Sequence, residues 1–264
     1  MVTTRSTPVE SGLPRRARIL IVSSVTLITL LAWLYLVYLH RQMSADMQES
    51  SMMAAMGMPE SAPWRPGDVL FTFGMWAVMM VGMMAPSATP MVLLFAAARA
   101  RRGDSALSAA SALFGLGYLA VWTGFSAVAA LAQWALHDAA LLSSAMKASS
   151  PRVAGAVLLV AGIYQITPWK NACLSHCRSP LDFLISHWHD GKYGALQMGA
   201  RHGAYCLGCC WAIMALLFVV GVMNLVWVAA LAALVLLEKL APQGAWLARI
   251  SGAIMIVLGF IALV

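Results

Sequence analysis

All five cysteines of this 264-residue chain lie between Cys173 and Cys210, with histidines among them. Cys173, His176 and Cys177 are spaced i, i+3 and i+4, which puts three metal-ligating side chains on one face of a helix. His202, Cys206, Cys209 and Cys210 follow at i, i+4, i+7 and i+8 and form a second one-faced ladder. At a rise of about 1.5 Å per residue, Cys206 stands roughly 6 Å and Cys210 about 12 Å along the helix from His202. Thiolate sulfur selects Cu(I), zinc or iron–sulfur clusters. His176 and His202 are candidates for imidazole ligands, or for groups that orient a ligand by hydrogen bonding.

Thioether sulfur is the second resource. The chain has 18 methionines, of which 12 fall between Met43 and Met91. Met75, Met79 and Met83 repeat at i, i+4 and i+8, with Met80 and Met84 alongside, so one helix face is lined with sulfur. Thioethers narrow the choice of metal towards Cu(I), while zinc stays open because Cys and His for a closed tetrahedron are present. Met43, Met47, Met52, Met53, Met56 and Met58 stand among polar and small residues, where no core needs filling. Thioethers outside, thioethers through the bundle and thiols at the far end make a graded path for a soft monovalent ion, provided each step binds weakly enough to let go. The competing reading is packing, since Met fills irregular gaps and Cys behaves as a small apolar residue between helices.

The elements that position these groups must lie in apolar surroundings. Hydrophobic residues make up 61% of the chain and charged residues 10%, against about a quarter charged in soluble domains. Mean hydropathy is +0.80. These values exclude a soluble globular, disordered, collagen-like or disulfide-stapled secreted class and predict an all-α, polytopic membrane helix bundle. Charge-free stretches place spans at about 19–39, 69–98, 105–136, 153–169, 202–221, 225–238 and 249–264. The fifth and sixth come from one 36-residue run, His202 to Leu237, divided at Gly221 to Asn224 because Gly and Asn suit a turn. Residues 1–18 are then a cytoplasmic tail, 40–67 an external Met-rich loop, and 170–201 a cytoplasmic Cys/His loop. With the N-terminus inside, 13 of the 17 basic residues are cytoplasmic and 4 external, as the positive-inside rule requires. The first span is too long for a signal h-region and reads as an uncleaved anchor. Pro86 and Pro90 are places where the second span can tilt or break.

The remaining signals are weaker. Glu238 and Lys239 read as an interfacial pair with a snorkelling lysine, or the acid reads as a proton acceptor for nearby thiols. The net charge of +7 does not imply nucleic acid, because no binding motif accompanies it. No phosphate loop, nucleophile elbow or metalloprotease signature is present, so a self-contained ATP-driven pump is excluded and an enzyme is the lesser expectation.

The segments Met79–Met91, Tyr164–Pro180 with Cys173, His176, Cys177 and Arg178, and His202–Trp211 with Cys206, Cys209 and Cys210 resemble an uncharacterised bacterial family of predicted metal-binding integral membrane proteins. Met223, Asn224, Glu238 and Lys239 are similar to it as well, and the likeness covers roughly residues 70 to 240. It implies a membrane protein that binds metal and carries over no reaction.

The expected function is therefore a multi-pass protein of the bacterial inner membrane that binds a soft metal ion, Cu(I) before Zn, for transport or delivery. Cys173, His176, Cys177, His202, Cys206, Cys209 and Cys210 form the candidate site, and Met79, Met80, Met83 and Met84 line the approach. Its partners are the lipid bilayer, the metal ion, and a soluble metallochaperone or a membrane partner subunit. Two alternatives stay open: a membrane-embedded thiol oxidoreductase using Cys209 and Cys210 or Cys173 and Cys177, and a structural subunit without metal.

Overall fold

The computed structural model describes residues 13–55, 65–104, 106–139, 141 and 150–264, and every regular element among them is a helix. In chain order these are α1 (Arg15–Ala55), α2 (Pro66–Arg101), α3 (Leu107–Asp138), α4 (Pro151–Ile166), α5 (Pro168–Arg178), α6 (Pro180–Ser186), α7 (Gly191–Ala215), α8 (Leu217–Val220), α9 (Leu225–Leu240) and α10 (Gly244–Leu263). α3 lies between α2 and α7, α1 packs on α2, and α10 packs along α4. The short α5 lies against α7, and α9 touches α2, α5, α7 and α10.

Among the described residues, five helical stretches are long and apolar enough to cross a membrane: 15–44, 66–101, 107–138, 191–220 and 244–263. The pair α4 and α5 passes the same test together but is bent by 62°. The seven spans expected from the sequence also include α9, whose 16 residues fall short of the roughly 20 that a bilayer core requires. The expected turn at Gly221 to Asn224 is where α8 ends and α9 begins, with Gly221 at φ 96°, a conformation that glycine adopts without strain.

Two local expectations are corrected, and a third is narrowed. The segment taken as an external Met-rich loop is helical through Ala55, because α1 continues past the apolar stretch on Met, Ala, Gln and Glu, all good helix formers; residues 56–64, with Met56 and Met58, lie outside the described residues. The expected Cys/His loop over 170–201 is mostly helix, since Pro168 and Pro180 each open a new helix at its first position and α7 begins at Gly191. Pro86 and Pro90 sit inside an uninterrupted α2. Pro86 has no N–H to offer Gly82 O, and Trp33 Nε1 of α1 donates to that carbonyl instead, at 3.3 Å.

Candidate metal centre

The bend between α4 and α5 brings the first pair of cysteines into place. Thr167 precedes a proline and is therefore extended (φ −71°, ψ 152°), which ends α4. Its hydroxyl donates to Tyr164 O at 2.8 Å and accepts from Lys170 N at 3.4 Å, capping α5 as it starts in a new direction. α5 carries Cys173 and Cys177 against α7. Gly208 of α7 admits one of them: a Cβ there would stand 2.8 Å from Cys173 Sγ. Tyr164 Oη donates to Gly208 O at 2.5 Å and fixes α4 at the same level.

The second group is set by the close approach of α3 and α7. A Cβ on Gly199 would overlap the carbonyl of Phe114, and one on Gly117 would overlap that of Leu196, so only glycine allows these backbones to touch. Tyr118 of α3 is thereby brought to Cys206 of α7, with 3.1 Å between Oη and Sγ, and Oη lies 3.1 Å from Met84 O of α2. Cys209 and Cys210 are likewise buried, and their thiols donate to Cys206 O at 3.1 and 2.9 Å. Cys177 of α5 lies near Cys209, and Cys209 near Cys210. All five cysteines are free thiols.

Cys206, Cys209 and Cys210 belong to one buried cluster with Met75, Met79, Met80, Met83 and Met84, and Cys173 and Cys177 pack against it. Sulfur-bearing side chains of α2, α5 and α7 thus border one buried cluster. The two histidines stand apart in character. His202 is buried between Phe114, Tyr118 and Phe183, stacked on Tyr118 at 5.8 Å, and its Nδ1 has no hydrogen-bond partner. His176 is half-buried and stacked on Tyr205 at 4.4 Å, with Nδ1 2.8 Å from Ala172 O. Among the described residues, no three His, Cys, Asp or Glu side chains stand together as a ready chelate.

Buried charge around the sulfur is the feature that sequence reasoning missed. Glu238 and Lys239 are not an interfacial pair and Lys239 does not snorkel. Glu238 Oε2 accepts from Lys170 Nζ at 2.6 Å, and both side chains are enclosed. Gln165 donates to Glu238 Oε1 at 2.8 Å and accepts from Lys170 Nζ, while Ser251 completes the group from α10. Lys239 turns the other way: its Nζ donates to Cys206 Sγ at 2.8 Å and to Ser87 Oγ at 3.0 Å. The available signal was the pair of charges at the end of the apolar run 225–240, where ionisable residues tend to be paired and functional.

A family model described as PpoB2, copper chaperone, matches residues 73–262. The chain belongs to the PpoB2 copper chaperone family. No curated protein and no solved structure matches it. The PpoB2 match takes in all five cysteines, Met75 to Met84, Lys170, Glu238 and Lys239; it leaves out α1 and the methionines from Met43 to Met58.

Proposed function

We propose that the protein is a membrane-embedded copper chaperone that holds Cu(I) on thiol sulfur at the junction of α2, α5 and α7 and passes it to a partner. The observation that carries this reading is the meeting of α5 and α7 thiols in a buried cluster continuous with the α2 thioethers. Cys173, Cys177, Cys206, Cys209 and Cys210 are the pool from which two ligands at a time are drawn, each ligand giving up its thiol proton as the metal arrives. Met79, Met80, Met83 and Met84, with Met75 beyond them, form the approach. His176 and His202 serve as ligands or as groups that orient them. Cu(I) can be held by as few as two sulfurs, a smaller demand than zinc's four-ligand tetrahedron, and this suits a cluster with no ready chelate of three. A partly open ligand set also suits a carrier, which has to release its cargo.

Membrane embedding is supported by the apolar surface left outside the bundle. The span within α1 is only 11% buried and that of α10 only 22%, and Leu27, Leu34, Val257 and Ile261 project outward. Such continuous apolar surface suits a lipid surrounding. The proposed setting is a bacterial inner membrane, with the N-terminus and the α5–α6 end on the cytoplasmic side.

The test is metal analysis of protein purified in detergent under reducing conditions. Wild type should bind Cu(I) in stoichiometric amounts, and Cys206→Ser with Cys209→Ser should lose most of it, by about tenfold or more in affinity. Equal copper in both would overturn the proposal. Thiol alkylation at controlled potential separates it from a dithiol oxidoreductase: copper should protect the reduced thiols, whereas a redox pair would switch with potential.

A further inference from the structure

The lysine beside the sulfur cluster has an unusual electrostatic position. Glu238, its neighbour in sequence and the nearest carboxylate by chain position, is already engaged by Lys170, Gln165 and Ser251. Lys239 belongs to none of the ion pairs Arg99 with Asp104, Arg102 with Asp190 and Lys170 with Glu238. Its side chain is 7% exposed, and its ammonium lies against Cys206 Sγ and Ser87 Oγ. Tyr118 Oη, the other group on Cys206 Sγ, is uncharged as a phenol. A buried charge is costly unless an opposite one matches it, and of the groups this ammonium touches among the described residues, Cys206 sulfur is the one that forms an anion.

We infer that Lys239 is a specificity-determining residue of the sulfur site, whose fixed positive charge admits a monovalent soft cation and disfavours a divalent one. The inference rests on the copper-binding reading above and deepens it. For any given set of sulfur ligands, Coulomb repulsion from one fixed positive charge is twice as large for a divalent ion as for a monovalent one. In a site sealed from water that difference is poorly screened. Two thiolates, one monovalent ion and one ammonium sum to zero. The same set with a divalent ion leaves one uncompensated charge in the bundle, and the carboxylate that could balance it is held by Lys170. A third thiolate would restore the balance only by releasing another proton inside the same dry site. Lys239 needs to touch no metal for this. It acts through the field at Cys206, so its effect should follow charge rather than shape.

The experiment measures metal per protein after anaerobic loading with Cu(I) or Zn(II) and desalting, for wild type, Lys239→Met, Lys239→Gln and Lys239→Arg. Wild type should favour Cu(I); both neutral variants should move the copper-to-zinc affinity ratio towards zinc by about tenfold or more; the Arg variant should keep the wild-type ratio. Neutral variants that keep the wild-type ratio would overturn the inference, and so would an Arg variant that behaves like them, since the effect would then be one of shape. Wild type alone provides a test that does not depend on folding of any variant: it should take up Ag(I) and exclude Cd(II), both soft ions, and equal uptake would refute the role of charge. Failure of wild type to bind Cu(I) would instead remove the functional proposal itself.

Discussion

The ion pair between Lys170 and Glu238 joins α5 to α9 in the interior, and both side chains are buried. Such a pair contributes little net stability relative to apolar residues of the same shape, but removing one partner leaves an unmatched charge. Lys170→Met or Glu238→Gln alone should therefore lower stability by about 3–5 kcal/mol, and the double variant should recover much of that loss. Thermal denaturation in detergent with a double-mutant cycle would measure it. A purely additive result would show that the two side chains do not act as a pair. The pair also fixes the register of the site: Lys170 is one helical turn before Cys173 on α5, and Glu238 directly precedes Lys239 on α9, so one contact holds thiols and ammonium in a common frame.

Helix by helix, the site depends on two devices. The first is the proline pair inside α2, which leaves the methionine face on a single rod because Trp33 satisfies the carbonyl that Pro86 cannot. Trp33→Phe should cost about 1 kcal/mol, the net worth of one such bond, and should cost almost nothing when Pro86→Ala restores the backbone donor. Melting temperatures of the two single variants and the double variant decide this, and an equal loss in both backgrounds would argue against it. The second is the glycine contact of α3 and α7. Gly199→Val should force the helices apart and cost about 1–3 kcal/mol or more, and the displacement should be felt at Tyr118, about one turn from Phe114, and at Cys206, about two turns from Gly199.

For the molecule as a whole, the question is what surrounds the bundle. A chain whose terminal helices keep most of their apolar surface outside should stay with membranes after alkaline carbonate washing and need detergent for release. Reporter fusions at the N-terminus and after α6 should both score as cytoplasmic if the basic residues set the orientation. Release by carbonate would refute the membrane setting, and an external reporter after α6 would refute the proposed side of the thiol cluster. Much of this plan was legible in the chain. The helical class, the division at Gly221 to Asn224, and the one-faced Cys and Met ladders follow from local composition and spacing. The helical course of residues 170–201 was not legible in the charge-free stretches that set the spans, although Pro168 and Pro180 each stand where a helix begins.

What the amino-acid order determines by itself is periodicity: which sulfurs share a helix face, where apolar runs begin and end, and which residues permit a turn, since these depend only on neighbours within a few positions. Partnership across helices was left to the tertiary structure. Lys170 and Glu238 are separated by 68 positions and Cys206 and Lys239 by 33. No local rule states that adjacent charges on α9 point to different helices, one to a carboxylate's partner and the other to sulfur. Only packing, by enclosing both and fixing which helices each one faces, decides which charge meets which group.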